Sequence, residues 1–217
     1  MRIEIEAKLK VDSLEEIAEK LSELGAEFVE EQTQTDSYFD SKDAILKNTD
    51  RGLRLRRQGA GQNERIFLTY KGAREKDEFK KRQEIELEVK VPQFVGTPPR
   101  FASQSETVGC TSKQRDKDSG SVEKLLLALG YEKVISFEKK RQVWRFGGCE
   151  VALDRLAELG CFVEIEGPDD KKIAGVQKRL GLAHLPHIKE SYAVLIDSER
   201  SRTMAEKIRI GRRGKRK

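Results

Sequence analysis

A chain of 217 residues can bury a core of its own, and its length suits one domain or one with a small addition. Charged residues make up 37% of it, above the roughly 25% usual in globular proteins, so an excess of charge must be placed somewhere in the fold. No apolar run approaches the roughly 20 residues of a bilayer span, and the start MRIEIEAKLK lacks a signal peptide's apolar core, so a cytoplasmic protein without a membrane segment is expected.

The net charge of +5 is unevenly spread. Residues 199–217 hold nine Lys/Arg against two Asp/Glu, a net of +7, which leaves −2 for residues 1–198. The body is therefore slightly acidic and the basicity belongs to a tail, read as a solvated flexible end with a weak secondary reading as a contact for nucleic acid or another polyanion. Cys110, Cys149 and Cys161 are odd in number and form no C-x-x-C pair, which speaks against a disulfide framework and against a zinc site.

In chain order, IEIEAKLKV (residues 3–11) reads as a strand with Ile3, Ile5, Ala7 and Leu9 on one face and Glu4, Glu6 and Lys8 on the other. VDSLEEIAEKLSELGA reads as a helix: Ser13 and Glu16 have capping-box spacing, Leu14, Ile17, Leu21 and Leu24 share a face, and Gly25 ends it. Extended segments follow at EFVEEQTQTDSYFD, RGLRLRRQ, RIFLTYKG and KRQEIELEVKV. Residues 92–120, rich in Pro, Ser, Thr, Gly and Gln, show no periodicity and read as a long loop or insertion. A second helix, SVEKLLLALG, precedes strands at EKVISFEKKRQVWRF, CEVALDRL and CFVEIEG, and DDKKIAGVQKRLGL reads as a third helix before the closing stretch KESYAVLI.

The order strand, helix, three strands thus occurs twice. Eight strands of mainly hairpin connectivity, with helices to cover them, predict an α+β fold: an eight-stranded antiparallel barrel with helices outside, spanning residues 1–198.

The alternation of the first strand recurs along the chain. Leu53 and Leu55 oppose Arg54 and Arg56; Ile66, Leu68 and Tyr70 oppose Arg65, Thr69 and Lys71, with Phe67 as an exception. Ile85, Leu87 and Val89 oppose Arg82, Glu84, Glu86 and Glu88, Val151 and Leu153 oppose Asp154, and Val163 and Ile165 oppose Glu164 and Glu166. In the sixth strand Lys139 and Arg141 share a face. A single half-exposed strand shows such a pattern merely because its charges are wet. For the whole set, helices need an apolar surface to pack on. If the barrel wears its apolar face outward beneath them, its charged face turns inward and lines a tunnel.

Such a tunnel gathers Glu4, Glu6, Glu84, Glu86, Asp154, Glu164 and Glu166 against Lys8, Arg54, Arg56, Lys71, Arg82, Lys139 and Arg141. Confined charges are costly unless they pair or bind something charged. A polyphosphate with a divalent metal fits: Arg and Lys clamp phosphate oxygens, and clustered carboxylates hold a hard cation such as Mg²⁺ or Mn²⁺.

Glu4-x-Glu6-x-Lys8 resembles the ExExK signature of the CYTH superfamily, the triphosphate tunnel metalloenzymes, and GLRLRR, LTYKG, RQEIELEV, EKKR, ALDRL and FVEIEG resemble the family in order. DSYFD, LTYKGA, FEKKRQVWRF, LAELGCFVEIEG and ESYAVLI are most similar to the class IV adenylate cyclase branch. The resemblance implies a metal-dependent enzyme on triphosphates, cyclising ATP to cyclic AMP and pyrophosphate, or hydrolysing tripolyphosphate, thiamine triphosphate or RNA 5′ ends. It casts Glu4, Glu6 and Lys8 as catalytic and Glu4, Glu6, Asp154, Glu164 and Glu166 as metal ligands. Lys8, Arg54, Arg56, Lys71, Arg82, Lys139 and Arg141 become the phosphate clamp, and a homodimer is expected from the family's habit. A rival reading is a non-catalytic module that binds polyphosphate or nucleic acid.

Other chemistry is weakly signalled. No phosphate-binding G-x-x-x-x-G-K-[ST] loop or G-x-G-x-x-G fingerprint is present. His184 and His187 read as a surface turn, Cys110 lacks a nearby base, Trp144 and Tyr192 read as packing residues, and Lys189 is a candidate extra phosphate contact.

Overall fold

The computed structural model describes residues 2–59, 64–89 and 116–214, with the side chains of Arg2, 116–121 and 208–214 left out of the description. Eight strands, β1 (Arg2–Val11), β2 (Glu27–Ser41), β3 (Gly52–Gln58), β4 (Arg65–Arg74), β5 (Lys80–Val89), β6 (Tyr131–Phe146), β7 (Cys149–Leu156) and β8 (Gly160–Glu166), form one closed antiparallel barrel in the order β1-β5-β4-β3-β2-β6-β7-β8. Exchanging each strand n with strand n+4 leaves that closed order unchanged. The twofold repeat visible in the chain is therefore also a twofold of the pairing, with β1 against β5 and β2 against β6 at its two seams.

The helices are α1 (Glu15–Glu23), α2 (Ile45–Asn48), α3 (Asp116–Ala128), α4 (Asp170–Leu180) and α5 (Tyr192–Gly214). The first starts where the Ser13 hydroxyl accepts the Glu16 amide at 3.3 Å and ends before Gly25, whose φ of 73° suits glycine. At α4, the Asp169 side chain caps the Lys172 amide at 2.8 Å. Helices α1 and α4 lie over the outer face of β1, β7 and β8, where Ala7, Leu9, Val151, Leu153, Val163 and Ile165 are almost fully buried against Ile17, Leu21, Ile173 and Val176. Leu126 of α3 covers Phe39, Leu55 and Ile66 on the opposite side. The apolar face of the barrel is thus its outer face, as the helix-packing argument requires.

Two sequence expectations are corrected in part. Of the expected 92–120 loop, residues 116–120 belong to α3, because helical pairing begins well before the apolar residues that signal it; the remainder, with Cys110, lies outside the described residues. The basic stretch from Glu199, expected as a solvated flexible end, is helical. It continues α5 through Gly214, since nothing between Ser198 and Ile210 breaks a helix. Among the described residues, no helix is long and apolar enough to cross a membrane.

Candidate active site

The first strand sits between two charged neighbours. On its β5 side Glu4 faces Arg82 and Glu6 faces Lys80; on its β8 side Glu6 faces Glu166 and Lys8 faces Glu164. Since side chains alternate, Glu4, Glu6 and Lys8 all point to the side away from Leu9 and the helices. Around the barrel the same rule turns Arg54 and Arg56 of β3, Thr69 and Lys71 of β4, Glu84 and Glu86 of β5 and Lys139 and Arg141 of β6 inward. They enclose a cavity of about 640 Å³.

Of the fourteen residues expected inside, thirteen line this cavity; Asp154, fully buried, stands just behind its wall. Arg141 grips Asp154 with two guanidinium bonds of 2.6 and 2.5 Å and also reaches Glu164. Lys139 bonds Asp154 at 3.0 Å. Lys8 pairs with Glu164 at 3.2 Å, lies 3.9 Å from Glu6 and donates to the Glu190 carbonyl at 3.0 Å. Lys80 bonds Glu6, and Lys71 bonds Glu84 while lying 3.6 Å from Glu4. Arg54 reaches Glu86 at 3.3 Å, whose carboxylate also accepts from Thr69 at 2.8 Å. Arg82 comes within 3.9 Å of Asp50.

Burial works against every one of these charges, and the partners decide the outcome. For Asp154, burial is outweighed by Arg141 and Lys139, so its carboxyl stays below the usual range; for Glu164, Lys8 and Arg141 do the same. Burial also opposes ionisation of Glu84, yet Lys71 holds it low. Among the bases, burial is offset at Lys80 by Glu6 and Glu4, and its pKa rises. At Lys8 burial wins over Glu164 and the pKa falls; at Lys139 burial, reinforced by Arg141, pushes it down to about 7.

Reading the sequence missed several members. Asp36 of β2, 1% exposed, holds Arg56 through two bonds of 2.7 and 2.8 Å; the alternation Gln34, Asp36, Tyr38 could have found it. Lys80 escaped because β5 begins one residue before its expected start at Lys81. Glu150 lines the cavity from the start of β7. Tyr192, expected to be a packing residue, lines it too and donates to Asp154 at 2.9 Å. It could not be found by strand alternation, since it opens α5. His187 rests on Phe79 with ring centroids 4.9 Å apart and Trp144 packs in the outer core, both away from the cavity; Lys189, the candidate extra phosphate contact, does not line it and is exposed, bonding the Asp77 carbonyl at 2.6 Å.

One end of the barrel interior is apolar. Phe137, Leu156 and Phe162 follow Lys139, Asp154 and Glu164 at two-residue steps on the inner face, and Tyr192 and Ile196 of α5 complete a buried cluster with them.

An expected divalent cation can be tested against these residues. The donor set is all oxygen, which suits Mg²⁺ or Mn²⁺, and a buried oxygen of Glu4, Oε2, has no hydrogen-bond partner. Glu6, Glu166 and Glu150 lie side by side across β1, β8 and β7. Among the described residues no three such side chains converge as a ready-made ligand set, because Glu6 and Glu164 are occupied by lysine and arginine. The residues suit such a cation in donor chemistry, while their present ion pairs leave no ready-made ligand set among the described residues.

Comparison with known proteins agrees with this architecture. The model of the CYTH domain matches residues 2–191. A protein of Methanocaldococcus jannaschii provisionally named an adenylate cyclase is 27% identical over 164 residues, 76% of either chain. The solved structure of the PH1819 protein of Pyrococcus horikoshii superposes with a TM-score of 0.66 at 25% identity, covering 90% of this chain and 99% of its own. A Hippeastrum protein, described as an adenylyl cyclase candidate with a dominant triphosphatase activity, shares the fold at TM-score 0.63 and 16% identity, over 90% of this chain and 95% of its own. With a family match that spans all eight strands of the barrel and its charged interior in place, the chain belongs to the CYTH family.

Proposed function

We propose that the chain is a divalent-metal-dependent enzyme that breaks a phosphoanhydride bond of a triphosphate held in its tunnel. The observation that carries this reading is the lining: eight acidic and eight basic side chains around one cavity. Two of the bases, Arg54 and Arg82, each keep a buried Nε without a hydrogen-bond partner. Buried guanidinium donors without partners are natural partners for strong acceptors, and phosphate oxygens are such acceptors.

Binding would be an exchange of partners. Phosphate oxygens would take Lys71, Lys80 and Lys8 from Glu84, Glu6 and Glu164, while Asp154 and Asp36 keep Arg141 and Arg56 aligned. Glu4, Glu6, Glu164 and Glu166, with Asp154 behind them, would hold Mg²⁺ or Mn²⁺. The metal, when bound, would neutralise charge on the phosphate oxygens as the bond breaks. The lysines and arginines stabilise the leaving phosphate, and the narrow charged tunnel fixes the chain in line for attack.

The reading placed first within this class is the class IV adenylate cyclase reaction, ATP to cyclic AMP and pyrophosphate, supported by the likeness to the M. jannaschii relative. A second reading, hydrolysis of tripolyphosphate or thiamine triphosphate, is favoured by the lining. Among the described residues its aromatic members are only Tyr38, already stacked on Phe137 at 6.2 Å, and Tyr192, whose ring two lysines share, so it offers many more groups to phosphate oxygens than to an adenine ring.

A product-resolved assay with ATP, tripolyphosphate and thiamine triphosphate, each with Mg²⁺ or Mn²⁺, separates them. Cyclic AMP supports the first reading and phosphate release the second; no product from any of them would overturn the enzyme and leave a polyphosphate-binding module.

A further inference from the structure

The first turn of α5 is built into the tunnel wall at its apolar end. Lys8 Nζ lies 4.2 Å from the centroid of the Tyr192 ring and Lys139 Nζ 4.9 Å from it. Both lysine side chains are at most 2% exposed. The Tyr192 hydroxyl donates to Asp154 Oδ2 at 2.9 Å, the same oxygen that accepts from Lys139. Phe162 packs against the ring in a T-shaped arrangement, at a centroid distance of 5.2 Å and an interplanar angle of 77°. The hydroxyl and the ring edge are thus both engaged, and two ammonium groups, from β1 and from β6, share the ring.

Each ammonium also pairs with a carboxylate, Lys8 with Glu164 at 3.2 Å and Lys139 with Asp154 at 3.0 Å, so the ring face is a second, shared contact for both. An aromatic face attracts cations through its quadrupole, most strongly where water is excluded. Anchoring the hydroxyl on Asp154 sets the height of the ring, and the ring sets where the two ammoniums stand.

We infer that Tyr192 is a positioning residue for phosphate binding, holding Lys8 and Lys139 at the inner end of the tunnel through its ring face and its bond to Asp154. This rests on the reading of the tunnel as a phosphate site. It gives α5 a part in substrate binding that neither strand alternation nor the ExExK pattern supplies. It also explains why a tyrosine, and not an aliphatic residue of the kind found at Ile196, stands at the junction of the apolar cluster with the charged cavity.

The test is calorimetric titration of the full chain with inorganic tripolyphosphate in the presence of a chelator, so that neither metal nor turnover enters. The variants are Tyr192→Phe, Tyr192→3,4,5-trifluorophenylalanine and, as a loss-of-site control, Lys8→Met. Fluorination leaves the ring nearly the same size while removing its negative face, so a purely structural ring would be indifferent to it. The inference predicts that Tyr192→Phe, which loses the bond to Asp154 and keeps the ring face, weakens binding about threefold, and that the trifluorinated ring weakens it about tenfold further. Equal affinity of the two ring variants, with Lys8→Met defective, overturns the role of Tyr192 and leaves the phosphate site standing. Absence of tripolyphosphate binding in the unaltered chain removes the phosphate site and this inference with it.

Discussion

Glu6 and Glu166 stand directly opposite one another on β1 and β8, and Glu166 in turn faces Glu150 on β7. Like charges in directly opposed positions of a sheet cost about 0.2–1 kcal/mol per pair, and a divalent cation between them reverses the sign. The thermal midpoint of the protein should therefore rise on adding Mg²⁺ or Mn²⁺; saturation at a hundredfold over the dissociation constant corresponds to about 2.7 kcal/mol. Glu166→Gln should lose most of that rise. An unchanged metal-induced shift in this variant, followed by thermal unfolding with and without chelator, would remove Glu166 from the metal site.

Arg141 is the counter-charge for a carboxylate that no water reaches. Replacing it with methionine leaves Asp154 with Lys139 and Tyr192 alone, in a site where Asp154 is 0% exposed. Breaking one side of a buried pair costs about 3–5 kcal/mol, so Arg141→Met should lower the urea midpoint sharply. Adding Asp154→Asn to the same chain should recover part of the loss, because the uncompensated charge is gone; a simple sum of the two single effects would show that the pair is not coupled.

Acid should destabilise the fold through the same network. Burial opposes ionisation of Asp36, Asp154, Glu164 and Glu84, yet Arg56, Arg141, Lys8 and Lys71 hold their carboxyls below the ordinary range. As pH falls through about 4 the unfolded chain takes up protons that the folded chain still refuses, so stability present above that range drains away below it. Urea midpoints measured from pH 7 to pH 3 should be nearly level down to about pH 5 and then drop. A profile that rises toward acid would contradict the ion-pair assignments.

How much of this was legible in the sequence follows from the kind of pattern each residue belongs to. Period-two alternation carried Glu4, Arg54, Lys71, Glu84 and Glu164 to the inner face, because a strand has only two faces and the helices needed the other. Asp36 carried the same signal but stood in a long polar strand, QTQTDSYFD, where apolar residues do not mark the outer face. Tyr192 had no such signal. It reaches the tunnel from a helix that folds back over the barrel's end, and only the closed tertiary arrangement brings it 4.2 Å from Lys8, 184 positions earlier. The course of α5 was obscured by its charge, since a basic run reads as a solvated end whether or not it is helical.

Gly167 marks where β8 hands over to α4 under the outer core. A Cβ there would sit 2.7 Å from Cys149 Sγ and 2.9 Å from Ile173 Cγ1, both buried. Gly167→Ala should cost about 1–3 kcal/mol by overpacking, measured as a lowered urea midpoint, and Cys149→Ala in the same chain should return part of it. No change in midpoint would show that the β8–α4 junction yields at little cost.

The most telling measurement compares metal-dependent turnover of the full chain with that of the Glu4→Gln, Glu6→Gln double variant, using ATP and tripolyphosphate with Mg²⁺ or Mn²⁺. These substitutions keep the size of both side chains and remove the two carboxylates that β1 places between Arg82, Lys80 and Glu166. Turnover in the unaltered chain that disappears in the double variant, with folding retained, is the result expected of a metal-dependent triphosphate tunnel. Undiminished metal-dependent turnover in the double variant would place the chemistry elsewhere in the molecule.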